Sequence, residues 1–351
     1  MPLLFVCMDP LTQAGIAAAF AVAISCREQA RTAAFLGAIA GAVPDLDVLI
    51  RSGTDPLMSL QYHRHFSHAL ITAPLIGICV AAIFKLLLFW SKVPFRKCVL
   101  YAVAGALTHG LVDACTSYGT LLYWPFSNHR ESWDLISIID PVFTLPLVLL
   151  TFLAFKWRRP FFAQVALVFC LAYLGFCGFQ RAKALEIVQQ VATQRGHEPE
   201  QYSVRPSFAN SILWRTVYRF EGHYYVDAVW TVPGEAPRLY PGHSVGVFTV
   251  EDAAGLVAPD SVLGHDIERF RHFSQGYLYR HPQEEYVLGD LRYAIHPDSI
   301  VSLWGIRVDP TKAEAHAELN YFREVSRASF VRLWKMIRGQ DVEPLPLKNR
   351  L

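Results

Sequence analysis

Histidines and aspartates are concentrated in four short segments of the apolar N-terminal half, AGAVPDLDVLI, HRHFSH, LTHGLVDACT and WDLISIIDP. The histidines and aspartates in these segments are Asp45, Asp47, His63, His65, His68, His109, Asp113, Asp134 and Asp140. A carboxylate or imidazole within or near hydrocarbon is costly unless it is paired or metal-bound, so each is a functional candidate. His and Asp together form a common ligand set for zinc and other divalent ions.

The spacing of these residues supports a shared site. His109 and Asp113 are four residues apart in a segment predicted to be helical, so both side chains project from one stripe of that helix. The HRHFSH segment directly precedes a mostly apolar run of roughly 20 residues, the length that crosses a hydrocarbon core. We therefore predict a divalent metal site at one membrane face, with zinc as the expected metal and one or two ions bound.

Several of these residues could have ordinary structural roles instead of binding a metal. Asp45 follows Pro44 and could cap a helix or form a turn. His65 lies between two better ligand candidates, and we expect it to be a solvated interfacial residue. Arg64 could extend towards lipid headgroups, and Asp134 is expected to be solvated or to cap a helix. The grouping of so many ligands at one face still favours a metal site over isolated ion pairs or a proton relay.

The composition predicts a mixed architecture. The 351 residues are 53% hydrophobic and 18% charged, with a mean hydropathy of +0.25, which is too apolar for an ordinary soluble protein and too charged for a wholly embedded one. We predict an α-helical integral membrane domain over residues 1–182, followed by a soluble, strand-rich α+β domain over residues 190–345. A net charge of +2 and the absence of a basic cluster with interleaved aromatics argue against a nucleic-acid partner.

The N-terminal half contains about four to six apolar segments that could span the membrane or re-enter it. The stronger candidates are residues 69–90, 98–116, 135–155 and 161–179. The weaker pair, residues 11–26 and 32–50, is rich in Ala and Gly, the small residues that allow membrane helices to pack closely.

The basic residues of the predicted turns alternate between the two sides of the membrane. One set of turns carries eight of them: Arg27, Arg31, Lys92, Arg96, Lys97, Lys156, Arg158 and Arg159. The opposite short loops carry three: Arg51, Arg64 and Arg130. By the positive-inside rule the first set is cytoplasmic, which places the metal site and the C-terminal domain on the outer face.

The C-terminal half shows the alternation of β-branched and aromatic residues that is typical of strands. In WRTVYRFEGHYYVDAVWTV, Glu221 and Gly222 are predicted to turn one strand back on the next. SVGVFTV, EYVLGDLRYAI and SIVSLWGIRV are predicted to be further strands. Helical patterns are confined to LEIVQQVATQ and RASFVRLWKMIR.

Four motifs in a fixed order, PDLDVLI, HRHFSHAL, HGLVDACTSYGTLLYWPF and DPVFTLPL, resemble the YdjM-like membrane-bound metal-dependent hydrolases. This bacterial inner-membrane family is also described as LexA-binding, and the similarity covers about residues 9–180. The resemblance implies functional roles for Asp45, Asp47, His63, Arg64, Ser67, His68, His109, Asp113 and Asp140. One departure is that this chain has Thr12-Gln13 where many members have Thr-His, and an amide is a poor replacement for a metal-binding imidazole.

These observations lead to a functional hypothesis. We expect a hydrolase that cleaves a phosphoester, or a related bond, of a lipid or lipid-linked substrate at the membrane face by means of metal-activated water. The expected principal ligands are His63, His68, His109 and Asp113. Asp45 and Asp47 would bind a second ion or act as general base, Asp140 would be a ligand or support one, and Arg64 would hold an anionic group.

The alternative is a membrane protein without catalytic activity: a metal-binding assembly factor, a carrier or a partner-binding protein with a structural ion. The two hypotheses differ in the coordination of the ion. A catalytic site keeps one coordination position for water, whereas protein ligands fill every position in a structural site. No nucleophile elbow, P-loop or dinucleotide fingerprint supports other chemistry. The sequence names no protein partner for the C-terminal domain.

Overall fold

The computed structural model describes residues 9–322 and 326–346, and the chain separates into two compact units. The first unit contains the described residues up to Ile50, together with Tyr62–Gly178 and Phe208–Asn210. The second contains Arg51–Gln61, Phe179–Ser207 and the described residues from Ser211 onward.

The first unit is helical. Its helices are α1 (Pro10–Ala23), α2 (Ala30–Ala42), α4 (Ala73–Leu87), α5 (Phe95–Ala114), α6 (Pro141–Trp157) and the first part of α7 (Pro160–Gln194). The short helix α3 (Met58–Tyr62) belongs to the second unit except for its last residue. Short 3₁₀ segments cover Val43–Leu49 and Phe66–His68. Two helices have proline as their first residue after a capping aspartate, Asp9 for α1 and Asp140 for α6, an arrangement that favours a helix start.

Small residues allow the central helices of this unit to approach one another closely. A Cβ added to Gly37 of α2 would lie 2.5 Å from the backbone oxygen of Ala17 in α1. A Cβ added to Gly105 of α5 would lie 2.5 Å from the backbone oxygen of Gly37. The three helices therefore pack backbone against backbone, as the Ala- and Gly-rich composition indicates.

The helical region contains two or three candidate membrane spans among the described residues. Ala30–Leu49 and Pro160–Gln194 are long and apolar enough to cross a membrane. The pair Met58–His68 and Ala73–Leu87, bent by 79°, is also long and apolar enough when it is taken as one segment. Pro10–Ala23 and Pro141–Trp157 are apolar but shorter. The predicted helical N-terminal region with apolar candidate spans is thus confirmed, whereas the predicted number of four to six segments is not.

The second unit contains two antiparallel four-stranded sheets. The first sheet has the order β1 (Gln201–Pro206), β2 (Leu213–Phe220), β3 (His223–Trp230) and β4 (Arg238–Gly246). The second has the order β5 (Leu278–Arg280), β6 (Val287–Asp290), β7 (Trp304–Arg307) and β8 (Glu318–Tyr321). Its helices are α8 (Val250–Ala254), α9 (Val262–Phe273) and α10 (Arg327–Ile337), besides the last part of α7.

The predicted hairpin is present in the first sheet. Phe220 pairs with His223, so Glu221 and Gly222 form a two-residue turn, and both have positive φ (46° and 73°). The other three predicted strand segments form β4, β6 and β7 over part of their lengths. A strand-rich region after the helices is therefore confirmed.

Candidate metal site

Four predicted ligands of the first unit converge. Asp45 comes from the 3₁₀ segment Val43–Leu49, His68 ends the segment Phe66–His68, and His109 and Asp113 lie one turn apart on α5. One ligand atom from each lies within 4.8 Å of the others.

The individual distances describe a tight cluster. His68 Nε2 lies 2.8 Å from His109 Nε2 and 3.0 Å from Asp113 Oδ2, and His109 Nε2 lies 3.5 Å from the same oxygen. Asp45 Oδ1 is 3.6 Å from each of the two imidazole nitrogens. Three of the side chains are at most 1% exposed, whereas that of Asp45 is 20% exposed. Solvent therefore reaches the cluster on the side of Asp45.

The hydrogen bonds of the two imidazoles fix the nitrogen that each presents to the cluster. His109 Nδ1 lies 2.6 Å from the carbonyl oxygen of Gly41, which can only accept, so Nδ1 carries the proton. His68 Nδ1 lies 3.2 Å from Asp47 Oδ2 and 3.0 Å from Ser67 Oγ, whose hydroxyl itself donates to Asp47 at 2.7 Å. His68 Nδ1 is therefore also a donor, and in the neutral imidazoles both Nε2 atoms are acceptors.

The donor set fits a divalent cation of the zinc type. Two imidazole lone pairs and two carboxylate oxygens face one another, and a bound cation stabilises such a convergence of acceptors. Ligand bonds of about 2.0–2.1 Å in tetrahedral geometry imply ligand-to-ligand distances of about 3.3 Å. The five distances above, from 2.8 to 3.6 Å, bracket that value.

Asp47 lies behind the cluster and orients two histidines. Its Oδ1 is 2.8 Å from His63 Nδ1, and its Oδ2 accepts from the Arg64 backbone N–H at 3.0 Å and from Ser67 Oγ at 2.7 Å. With His68 Nδ1 at 3.2 Å from that Oδ2, Asp47 forms the carboxylate–histidine pair that commonly supports a metal ligand. The structure thus places Asp47 and His63 next to the four converging residues and not among them.

Arg64 is fully buried and faces Asp113. Its Nη2 lies 3.2 Å from Asp113 Oδ1, and its Nη1 donates to Thr116 Oγ1 at 2.8 Å. The guanidinium also lies over the ring of Tyr118, 5.0 Å from the centroid. It holds one oxygen of Asp113 while the other oxygen faces the histidines.

The sequence motifs that build this cluster match a known family. The profile described as "YdjM inner membrane protein" matches residues 8–184. The chain belongs to the YdjM inner membrane protein family. It is also 28% identical over 108 residues to inner membrane protein YbcI of Escherichia coli (strain K12). This alignment covers 30% of the chain and 61% of that relative, so the chain spans about three fifths of its length. No solved structure matches the chain.

The residue that departs from the YdjM family pattern contacts the cluster directly. Gln13 Nε2 donates to Asp113 Oδ1 at 2.8 Å, on the oxygen that Arg64 also approaches. The amide thus acts as a hydrogen-bond donor to a predicted ligand.

Two glycines that are not among the predicted site residues allow close packing around the cluster. A Cβ on Gly110 would lie 2.2 Å from the backbone oxygen of His68, and a Cβ on Gly41 would lie 2.2 Å from the Ala17 side chain. Gly110 directly follows His109, so its missing side chain lets α5 approach the His68 backbone. The sequence alone does not predict this approach, because Gly110 and His68 are distant in the chain.

The remaining candidates have other environments. Asp140 lies outside the converging group, because its Oδ1 caps α6 by accepting from the N–H groups of Val142 and Phe143, and its Oδ2 accepts from Tyr173 Oη at 2.9 Å. His65 Nδ1 accepts from the adjacent backbone N–H of Phe66, and the residue is partly exposed. Asp134 is 6% exposed, which contradicts the first of the two roles expected for it, a solvated carboxylate, and leaves the second, helix capping, as a prediction.

A second group of possible ligands lies in the second unit. One ligand atom from each of Asp55, Asp266 and His316 lies within 4.8 Å of the others. Arg269 donates to both carboxylates at 2.9 Å, and His316 Nδ1 lies 2.9 Å from Asp266. Because a guanidinium already supplies the positive charge between the carboxylates, this group is an ion-pair network.

Proposed function

We propose that this inner membrane protein is a metal-dependent hydrolase that cleaves a phosphoester of a lipid or lipid-linked substrate. The observation that carries the proposal is the convergence of two imidazole lone pairs and two carboxylate oxygens at a site with one solvent-accessible side. A divalent ion in such a ligand set lowers the pKa of a bound water to about 7 and polarises a phosphoryl oxygen.

The structure supports distinct roles for the four residues. His68, His109 and Asp113 are buried and have their other polar atoms held by Asp47, Gly41 and Arg64 respectively. They form a set of three fixed protein ligands, the number found in catalytic zinc sites. Asp45 is the most exposed and the most distant of the four, so we assign it the role of general base beside an open position.

A lipid substrate is supported by the surroundings of Asp45. On the same short segment, Leu46 is 58% and Leu49 is 71% exposed. Apolar side chains beside the accessible edge of the site would contact an acyl or prenyl chain, while the phosphoester reaches the cluster. This arrangement favours a substrate anchored in the bilayer over a soluble one.

We further propose a multi-pass topology with the second unit outside the cytoplasm. The support is the distribution of eight basic residues against three between the two sets of turns. The metal site would then lie at the outer face of the inner membrane.

A structural ion is the second candidate function, and one observation favours it. Four protein ligands can close a tetrahedral site, and closed sites are typical of structural zinc. Asp45→Asn separates the two functions. A structural site loses metal affinity in this variant, whereas the proposed base can be replaced with the metal retained and turnover lost.

The direct test is hydrolysis by the purified protein in lipid vesicles. We expect release of a water-soluble phosphorylated headgroup or phosphate from a panel of phospholipids and prenyl phosphates. A chelator should abolish the release, and so should Asp113→Asn. If fully metallated protein turns over nothing in the panel, the hydrolase proposal fails.

A further inference from the structure

Helix α10 of the second unit carries an exposed apolar stripe. Phe330 is 58%, Val331 45% and Trp334 53% exposed. Residues three and four apart lie on one helix face, so these side chains form a continuous patch about one turn long. Their exposure is unusual for aromatic residues in a water-facing helix.

The opposite face of α10 is fixed to the unit. Leu333 and Met336 are buried in a cluster that includes Trp230 and Tyr240. Arg332 also binds Asp298 through two hydrogen bonds, of 2.9 and 2.6 Å. The helix is therefore held by one face, and its aromatic stripe points away from the core as part of a defined surface.

Basic residues border the aromatic stripe at both ends. Arg327 precedes Phe330 by three residues, Lys335 follows Val331 by four, and Arg338 follows Trp334 by four. All three basic residues are exposed. A helix with Trp and Phe on one side and flanking Lys and Arg is typical of segments that lie in the interface of an anionic bilayer.

We propose that the Phe330–Val331–Trp334 stripe docks onto the surface of a bilayer that contains anionic phospholipid. The bilayer is the partner that the chain itself brings near, because the segment Phe179–Ser207 of this unit directly follows an apolar segment of candidate span α7. The aromatic rings enter the headgroup region, and the three basic side chains contact lipid phosphates. This surface is independent of the proposed hydrolytic site.

The test uses the full chain in nanodiscs whose lipids carry bromine on the acyl chains, which quench nearby tryptophan. The emission of one tryptophan is obtained by subtracting the emission of the variant in which that residue is Phe from the emission of the wild type. Buried Trp304 (4% exposed) gives the matched control. We expect brominated lipid to quench the Trp334 share of the emission strongly, and more in anionic than in zwitterionic discs. The Trp304 share should be unaffected.

Charge variants complete the experiment. Replacing Arg327, Lys335 and Arg338 with Gln should remove the dependence on anionic lipid. The same replacement of three exposed basic residues elsewhere in the unit, Lys183, Arg280 and Lys312, should preserve it. An unquenched Trp334 share overturns the proposal, as does equal quenching in both kinds of disc. A change of oligomeric mass in Trp334→Phe would assign the stripe to a second copy of the chain instead.

Discussion

His68 Nε2 and His109 Nε2 face each other at 2.8 Å, although each imidazole carries its proton on the opposite nitrogen. The residues come from two segments 41 positions apart. Such an approach of two lone pairs is favourable when a cation lies between them.

The first prediction concerns metal content. His68→Ala, His109→Ala or Asp113→Asn should each remove most of the divalent metal that copurifies with the protein, because each removes one of the few buried ligands. His65→Ala is the control, since His65 lies in the same segment yet outside the group. Metal analysis of the detergent-purified proteins checks this, and equal stoichiometry in all of them contradicts the ligand assignment.

The second prediction concerns Asp47 as a positioning residue. Asp47→Asn should weaken metal affinity by about 10–100-fold, because the amide no longer orients and polarises His68 as the carboxylate does. Competition with a chelating dye measures the affinity. Asp47→Glu should recover part of it.

The control for Asp47 is a buried carboxylate, Asp140, that caps a helix and lies outside the converging group. Asp140→Ala removes the helix-cap hydrogen bonds, so it should lower thermal stability while leaving metal affinity intact. Loss of metal from this variant would instead support the ligand role that the sequence motif implies for Asp140.

The sequence predicts the identity of the converging residues better than their arrangement. The His-x-x-x-Asp spacing places His109 and Asp113 on one helix stripe, since helical periodicity relates local spacing to direction. It does not decide whether His63 or His68 joins the converging group, because both lie in a short irregular segment. That choice depends on Asp47, which binds His63 and supports His68 through contacts across 16 and 21 residues.

The same limit applies to the helix boundaries. The apolar run at residues 135–155 predicts one long segment, but the helix begins at Pro141 because Asp140 caps it and proline favours the first turn. Hydropathy alone does not predict where this helix begins, because the start depends on the capping side chain. The two-residue hairpin at Glu221-Gly222 is predicted correctly because its turn chemistry is entirely local.

The third prediction is topological. Reporter fusions truncated after Gly178 should show activity in the outer compartment, because the turns with eight basic residues are expected to stay in the cytoplasm. A phosphatase reporter and a cytoplasm-active reporter at the same position give opposite signals. Cytoplasmic activity at this position would place the metal site on the inner face.

The fourth prediction is a pH effect on the second unit. Burial lowers the pKa of His281 to about 4, and its ring stacks on Phe322 with centroids 4.2 Å apart. In the unfolded chain the pKa returns to about 6.5, so the unfolded state binds more protons between these values. This contribution to stability is complete above pH 6.5 and is lost as the pH falls towards 4.

Hydrogen exchange of the peptide that contains β5 and β6 should therefore show protection that falls below pH 6, by at most about tenfold per pH unit. His281→Phe should flatten this dependence. The exposed His223 serves as the control, and His223→Gln should leave the profile unchanged. Identical profiles for wild type and His281→Phe would exclude His281 as the cause.

The last prediction tests the close approach that brings His68 to α5. Gly110→Ala places a methyl group 2.2 Å from the His68 backbone oxygen, so that backbone must move and His68 with it. Such overpacking costs about 1–3 kcal/mol. We expect lower thermal stability together with loss of bound metal.

Gly175→Ala is the matched control, because Gly175 lies in helix α7 with nothing within 4 Å of its added Cβ. The control should be neutral or slightly more stable, since alanine favours a helix over glycine by up to about 1 kcal/mol. Retention of full metal content in Gly110→Ala would show that the His68 backbone can shift without disturbing the cluster.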